Sequence, residues 1–417
     1  MNKKDILELK RRFKKEACTF TRLCGCYVDG ERNKVTAFGD SFYNLDEEEF
    51  YKYLDIAKKT LSGTLDNNIL NLEFPLEEEG VGGKQQFLMG LKSSALENDE
   101  LLDAFYDLVI ENYHYAGNYL ILLFHDVYDV MRKTSDNSKL DESEEVYEYL
   151  LCAICPVALS KPGLGYHADE NRIGARIRDW VVGVPDTGFV FPAFTDRSSD
   201  IHTLMFYTKD AKAPHNELVE FGLGLPSKLT ATEQKLTFQG IVQKVIGEED
   251  DDARALYMDI QENIHNLIPV PEDETKEPEP VQMTTAAISS VLSESGVPEE
   301  KAALIEKTYG EVFQDEMPVA EHLVDSKLVE ANEKRKERLQ LIEQVDNLKQ
   351  QLNETRSVSV DSDENDMPVT KTYDVILRVK PEKVSQIHSE IINGKKCLVI
   401  PMEEDEHAAV NGVNTTV

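Results

Sequence analysis

The chain has 417 residues, of which 41% are hydrophobic, and its 78 acidic and 45 basic side chains give a formal net charge of −33. That length suffices for two or three domains, because a single core stops growing near ~250–300 residues. A net negative charge of this size repels nucleic acid and anionic membranes on average. It therefore argues against binding of either one over the whole surface of the protein. No apolar run approaches the ~20 residues of a membrane span, and the charged first residues predict no secretory signal. Six cysteines without a framework of close spacings are typical of a reducing compartment, so we expect a bacterial-type cytoplasmic protein.

The first 15 residues depart from the acidic composition, with seven basic side chains against two acidic ones. Lys3–Glu16 carries Ile6, Leu9 and Phe13 at helical spacing, which predicts an amphipathic helix. Clustered Lys and Arg can neutralise phosphates, so this helix is a candidate site for RNA, DNA or the ribosome. The alternative is a solvated surface helix whose apolar face docks on the acidic body. The candidate nucleic-acid-binding residues are Lys3, Lys4, Lys10, Arg11, Arg12, Lys14 and Lys15.

The next hundred residues predict a hairpin followed by helices. Thr19–Val28 and Lys34–Phe38 flank a turn that contains Asp29-Gly30, which predicts antiparallel pairing. Asp46–Leu61 has acidic residues in its first turn and lysines in its last, an order that favours a helix. Further elements predicted here are a strand at Ile69–Phe74 and helices near Lys84–Leu91 and Asp99–Asn112.

Residues 117–208 are a series of β-type segments rich in aromatic, β-branched and leucine residues and bounded by Gly, Pro or Asp. Within the series, Arg132–Glu145 is polar and acidic and predicts a mobile loop. The run WVVGVPDTGFVFPAF predicts strands around the turn Pro185–Gly188, which is too short for a parallel crossover. We therefore expect antiparallel pairing of the last strands of the series.

Two helices are predicted after the β-rich series. Thr230 and Glu233 match a capping box and predict a helix to about Ile246, and Asp251–Leu267 predicts a second helix. Helices before and after a mostly antiparallel sheet define an α+β fold.

Composition changes after residue 268, where PVPEDETKEPEP predicts an acidic, proline-rich linker. Thr284–Glu294 and Pro298–Phe313 predict a helical hairpin, and Ser326–Arg356 predicts one long helix. Within the long helix Leu341, Val345, Leu348 and Leu352 follow a/d spacing over about two heptads. Thr372–Val379 predicts a strand, and the turn Asn393-Gly394 predicts a hairpin of Ile387–Ile392 with Lys395–Ile400. The expected domains are an α+β main domain at 1–268, the linker at 269–283, a helical hairpin and the start of the long helix at 284–332, a helical, coiled-coil-like arm with a disordered return at 333–368, and a small β-hairpin domain at 369–417.

A group of histidines and carboxylates is a candidate metal site. Imidazole with carboxylates suits Zn, Mn or Fe, and such a metal can activate water. The spacings match no metalloenzyme signature and HExxH is absent, which favours hydrogen bonding at a strand end as the alternative. The candidate metal ligands are His125, Asp129, His167, Asp169 and Glu170.

The other motifs point away from catalysis. Cys152 and Cys155 lie inside an apolar run, where residues three apart on a strand point to opposite faces, so we expect buried hydrophobes and not a redox pair. Cys24 and Cys26 are alternate residues on a strand and are expected to form a core pair, although they could supply zinc ligands. The chain contains no glycine-rich phosphate loop and no G-x-S-x-G.

Several phrases of the sequence, taken together, carry a resemblance. CGCYV, KKTLSGTL, GNYLILLFHDVYDV, CAICPVALSKPGLGYHADEN, DWVVGVPDTGFVFPAF and INGKKCLVI with the later VNGV resemble domain-of-unknown-function family 4317 of low-GC Gram-positive bacteria. The resemblance covers most of residues 1–329 and 370–414 and implies no activity, substrate or catalytic residue. Shorter relatives run from a segment like HLVDSKL almost directly into one like TYDVILRV. This implies that Glu333–Pro368 is an inserted arm and that Ala320–Val329 belongs with 370–414 in one small domain.

The sequence favours a non-enzymatic interaction or regulatory protein, and deletion of residues 333–368 is expected to abolish a protein contact. The alternative is a nucleic-acid- or ribosome-associated protein that uses the basic helix. A third hypothesis, a metal-dependent hydrolase, requires metal bound through His125 and His167. No cofactor, catalytic residue or membrane contact is predicted. The oligomeric state stays open, because two heptads are too few to hold a coiled coil alone.

Overall fold

The computed structural model describes residues 1–133, 139–247, 250–269, 279–314, 316–358, 381–402, 408–410 and 413–415. The chain forms two compact units, Met1–Ile342 and Glu343–Val417. Most of the predicted linker and the predicted strand Thr372–Val379 lie outside the described residues.

The first unit begins with helices that alternate with three strands. These elements are α1 (Lys3–Arg12), β1 (Phe20–Val28), β2 (Lys34–Ser41), α2 (Glu47–Thr60), β3 (Ile69–Glu73), α3 (Lys84–Ser93) and α4 (Asp99–Asn112). Local signals explain the boundaries of α2, since Glu47, Glu48 and Glu49 occupy its first turn and Lys58 and Lys59 its last. The hairpin of β1 with β2 confirms the pairing predicted from the Asp29-Gly30 turn.

A series of strands follows, as the β-rich composition predicts. They are β4 (Asn118–Lys133), β5 (Lys139–Leu159), β6 (Leu164–His167), β7 (Arg172–Ala175), β8 (Trp180–Val182), β9 (Thr187–Phe191), β10 (Ala193–Thr195), β11 (Ser198–Asp200) and β12 (Thr203–Thr208). Eight strands form one antiparallel sheet in the order β2-β1-β4-β5-β9-β12-β3, with β8 also paired to β5. The pairs β6–β7 and β10–β11 are separate two-stranded ribbons.

Side chains alternate between two buried faces along the central strands. On one face, Cys152 of β5 packs in a cluster with α3 and α4. On the other face, Leu151 packs in a cluster with α1 and α2. Helices therefore cover both sides of the sheet, and the α+β class is confirmed.

One expectation for the β-rich region is wrong and another is confirmed. The predicted loop Arg132–Glu145 is mostly strand, because β4 continues to Lys133 and β5 begins at Lys139. Pairing between β4 and β5 satisfies the backbone whatever the polarity of the side chains. Antiparallel pairing of the last strands is confirmed, since β9 pairs antiparallel with both β5 and β12. The strands on the two sides of Pro185–Gly188 do not pair with each other, because β8 and β9 both pair with β5, one after the other along the same strand.

The helices that follow form a separate layer of the first unit. They are α5 (Ala231–Ile246), α6 (Asp251–Asn266), α7 (Thr285–Glu294), α8 (Glu299–Val312) and α9 (Ala320–Leu323), after which α10 (Ser326–Val358) begins. The predicted capping box at the start of α5 is confirmed, since Thr230 and Glu233 each accept a hydrogen bond from the other's backbone N–H. One buried cluster joins α5 and α6 to α7, α8 and α9, on the two sides of residues 270–278. Ala320 and Leu323 lie in this cluster.

In the second unit, β13 (His388–Ile392) pairs with β14 (Lys395–Val399), and β15 (Ala408–Val410) pairs with β16 (Val413–Thr415). Positive φ angles at Asn393 and Gly394 give the predicted hairpin turn. The division of the chain places Ala320–Val329 and residues 370–414 in different units.

Candidate functional site

Helix α1 docks through its apolar face. Ile6, Leu9 and Phe13 are buried in the cluster of the α1 and α2 face, and the rings of Phe13 and Phe20 lie 5.0 Å apart. This is the contact that the surface-helix interpretation expects. The exposed side chains among the basic candidates are Lys3, Lys4, Arg11, Lys14 and Lys15.

Arg12 is instead part of the protein interior. Its guanidinium carbon lies 3.3 Å from the centre of the Tyr128 ring, and Nη2 lies 3.9 Å from Oδ2 of Asp126. Asp126 is 1% exposed and accepts hydrogen bonds from Thr19 at 2.5 Å and from Tyr149 at 2.6 Å. A cation over an aromatic ring and beside a buried carboxylate stabilises the fold. Arg12 is therefore not free to contact a phosphate.

The predicted metal ligand His125 is a buried hydrogen-bonding residue. It is 2% exposed, with Nδ1 2.6 Å from Oγ1 of Thr21 and Nε2 3.1 Å from Oε1 of Glu148. Lys92 of α3 donates to the other carboxylate oxygen of Glu148 at 2.6 Å. Partial burial raises the pKa of Glu148, but the bonds from Lys92 and His125 outweigh it and hold that pKa below its ordinary value.

The remaining metal candidates are distributed along the chain. Asp129 lies on β4, opposite Val146 of β5. His167 lies on β6, with Nε2 2.9 Å from the carbonyl oxygen of Ala175. Asp169 and Glu170 lie in the turn after β6. Among the described residues, no group of three or more His, Cys, Asp or Glu side chains could hold a metal ion.

The cysteines are placed as the apolar interpretation predicts. Cys152 and Cys155 belong to the clusters on opposite faces of the sheet, and Cys24 and Cys26 share one face. Burial raises the pKa of the Cys155 thiol to about 12 and that of Cys152 well above its ordinary value. All six cysteines are free thiols.

One titratable cluster was not anticipated from the sequence. Asp186, before β9, accepts a hydrogen bond from Tyr113 at 2.9 Å, and the same Oδ2 lies 2.9 Å from Nε2 of His215. The other ring nitrogen of His215 lies 3.3 Å from Oε1 of Glu217. Burial lowers the pKa of His215, but the two carboxylates raise it more, so the net shift is upward. The cluster joins residues far apart in sequence, and no spacing rule connects them.

The segment that joins β5 to β9 carries an unusually exposed apolar surface. Trp180 is 55% exposed and Ile177 73%, whereas all five residues of β9 are buried. Tyr166 and Ile173 are cross-strand partners in the β6–β7 ribbon, so their side chains share one face. The large apolar side chains exposed here, which we call the hairpin surface, are Leu159, Leu164, Tyr166, Ile173, Ile177, Trp180, Val181, Val182 and Val184.

The hairpin surface continues into a groove beside α2. Val182, Tyr53, Ile56 and Leu120 line this groove, which has a volume of about 510 Å³. The sequence predicts a strand at Trp180–Val182 but not its exposure, because a run of three apolar residues looks the same whether or not its faces are covered. The only available signal was the mixture of Trp and Val with neighbouring arginines.

These features belong to an α+β protein with an exposed apolar and basic hairpin. The family described as "domain of unknown function (DUF4317)" matches residues 1–413, so the chain belongs to that family. No curated protein shows significant similarity to the chain. Within the described part of the chain, every helix is too short or too polar to cross a membrane.

Proposed function

We propose that this chain is a cytoplasmic, non-enzymatic interaction protein that binds a partner protein through the hairpin surface. The observation that carries the proposal is the exposure of nine large apolar side chains within residues 159–184. Large exposed apolar surfaces on soluble proteins mark interaction sites, and the concentration of exposed apolar side chains in this one segment supports such a site here. Residues 159–184 contain the types of side chain that dominate binding energy, namely Trp, Tyr and Arg.

The basic side chains of the segment favour an acidic partner surface, although Arg172 also pairs with Glu170. Residues 159–184 contain four basic side chains against three acidic ones, within a chain of net charge −33. The basic side chains are interleaved with the apolar ones, and Arg178 is oriented by donating to the carbonyl oxygen of Ser160 at 2.7 Å. A surface of exposed carboxylates around an apolar centre on the partner complements this arrangement. The basic residues concerned are Lys161, Arg172, Arg176 and Arg178.

The first test is an affinity capture from the native host at low salt, with and without nuclease. The full chain is compared with the double variant Ile177→Asp/Trp180→Asp and with Leu76→Asp, whose side chain is 85% exposed outside residues 159–184. We expect discrete proteins that survive nuclease with the wild-type chain and the Leu76 control and disappear with the double variant. Retention of the same proteins by the double variant would contradict the proposal.

A direct measurement uses the single tryptophan of the chain. Labelling with fluorotryptophan makes Trp180 the only fluorine reporter, whatever aromatic residues the captured partner contains. Saturation with the purified partner should shift and broaden the fluorine resonance, because the ring leaves water. An unchanged resonance at saturation would place the contact elsewhere.

A second candidate is binding of RNA, DNA or the ribosome through α1, which the exposure of Lys3, Lys4, Arg11 and Lys14 favours. Its test is the variant Lys4→Glu/Arg11→Glu/Lys14→Glu, which leaves the interior Arg12 in place. Phosphate binding predicts affinity that falls steeply with salt and is lost in this variant. Binding that is insensitive to salt and to the substitutions would exclude this candidate.

A further inference from the structure

We infer that a second copy of this chain pairs with the exposed stripe of helix α10 to form a parallel, two-stranded coiled coil. The stripe consists of Leu341, Val345 and Leu348, which are 61%, 48% and 59% exposed. Their spacing of four and then three residues is that of d, a and d positions in a heptad repeat. The inference concerns self-association and is independent of the partner proposed for the hairpin surface.

The residue types at the seam favour two parallel strands. A β-branched residue at a with leucine at d is the combination that favours parallel dimers, and Val345 stands at a between leucines at d. The flanking g position carries Gln344 and the next e position Lys349, which a parallel pairing brings together between the two helices. Neither of the two symmetry-related contacts between Gln344 and Lys349 places like charges together.

Charge complementarity at the start of the seam supports the second copy as occupant. Glu337 stands at g and Arg338 at the adjacent a position, and both are exposed. In a parallel pair an a side chain packs beside the preceding g residue of the facing helix. Arg338 of each copy therefore lies beside Glu337 of the other, and these two opposite-charge contacts offset the approach of the two Arg338 side chains across the twofold axis.

The beginning of α10 is already held in place within the first unit. Asn332 is fully buried and donates to Asp259 of α6, and Arg335 donates to both carboxylate oxygens of Asp259 at 2.9 and 3.0 Å. Lys336 lies 2.9 Å from Glu262 of the same helix. Two heptads are marginal for isolated peptides because the helix must also be nucleated. Because the start of α10 is already helical and fixed to α6, the two copies do not have to nucleate the helix when they associate.

Sedimentation velocity of the full chain over a range of concentrations tests the inference. We expect a reversible equilibrium between the 47.2 kDa chain and a species of twice that mass. Leu348→Glu should raise the dissociation constant at least about tenfold, since it removes two apolar side chains from the shared core. Leu339→Glu is the matched control, because Leu339 is 57% exposed but stands at b, off the seam. It should leave the equilibrium unchanged.

The orientation is tested by cross-linking. Leu341→Cys is introduced into a Cys397→Ser background, since Cys397 is the one described cysteine that is not buried. Oxidation should link parallel copies at this d position, whereas antiparallel copies hold the two residues far apart. A monomer at every concentration, equal effects of Leu348→Glu and Leu339→Glu, or a dimer that does not cross-link would overturn the inference. Trp180→Asp should leave self-association intact, so failure here and failure of the proposed function are distinguishable.

Discussion

Nε2 of His215 lies 2.9 Å from Oδ2 of Asp186, and this contact ties the segment after β12 to the start of β9. His215 is held at a positive φ of 60°, and Tyr113 donates to the same carboxylate oxygen. The imidazole thus lies between Asp186 and Glu217, with Lys209 contributing positive charge near Asp186. A protonated ring can donate to both carboxylates at once, whereas a neutral ring can donate to only one.

The cluster predicts a defined pH dependence of stability. The pKa of His215 is raised above 6.5, so its contribution is fully present below that pH and is lost as pH rises through the folded-state pKa. The hydrogen bond from His215 lowers the pKa of Asp186 below 3.8, so its contribution is lost as pH falls through that lower value. The combined contribution is therefore largest between pH 3.8 and pH 6.5.

The measurement compares thermal unfolding of the wild-type chain and His215→Gln across this range. We expect His215→Gln to lower the free energy of unfolding by about 1 kcal/mol near pH 6 and by less once the pH exceeds the raised pKa of His215, since the wild type then loses the charged contact. Glu217→Gln is the second variant, because it removes the charge of one of the two carboxylates that face His215. It should show about half the effect with the same pH profile. A difference that grows with pH would contradict this account.

Asp126 is expected to be essential for stability. Asp126→Ala removes a carboxylate that is 1% exposed and leaves Arg12 buried without its counter-charge. The expected cost is about 3–5 kcal/mol in chemical denaturation. The double variant Arg12→Met/Asp126→Leu should recover part of that loss, while Arg11→Ala, on the exposed side of α1, should change stability by less than about 0.5 kcal/mol. A mild effect of Asp126→Ala would mean that Arg12 reaches water instead.

Two glycines should respond in opposite directions to the same substitution. A Cβ at Gly188 would lie 2.3 Å from the carbonyl oxygen of Cys152, so Gly188→Ala forces β9 away from β5 and should cost about 2–3 kcal/mol. Gly240 lies within α5, and outside the local helix backbone no atom lies within 4 Å of an added Cβ, so Gly240→Ala should stabilise the chain by about 0.5–1 kcal/mol. Urea unfolding of the two variants measures both. Similar shifts in the same direction would contradict the close approach at Gly188.

The contact between Asp259 and Arg335 should show measurable coupling. Both side chains are about one-third exposed and share two hydrogen bonds, so a double-mutant cycle with alanine at each position should give about 1–2 kcal/mol. The cycle for Lys336 and Glu262 is the comparison, because Lys336 is 45% exposed and divides its charge between Glu262 at 2.9 Å and Asp259 at 3.3 Å. That cycle should give less than about 1 kcal/mol. Equal coupling energies would show that exposure does not distinguish the two pairs.

Local signals in the sequence predict the elements better than the surfaces. The capping box at Thr230 and the Asn393-Gly394 turn depend on neighbours within four residues, and both form as predicted. The burial of Arg12 depends on Asp126, which lies more than a hundred residues away in the sequence. The composition of the basic helix therefore does not predict that Arg12 is buried. In the same way, the sequence shows that Trp180 and its neighbours are apolar, but their exposure follows from which elements fail to cover them.

The pairing of β8 has a mechanical consequence for any load applied at Trp180. Three residue pairs attach β8 to β5, whereas β4 and β5 are paired along most of their length. Tension that pulls one end of β8 away from β5 would break the few hydrogen bonds between the two strands one after another. Tension along β5 would have to shear all of its bonds with β4 together. A partner seated on β8 could thus be pulled away, taking this short strand with it, while the sheet behind stays whole.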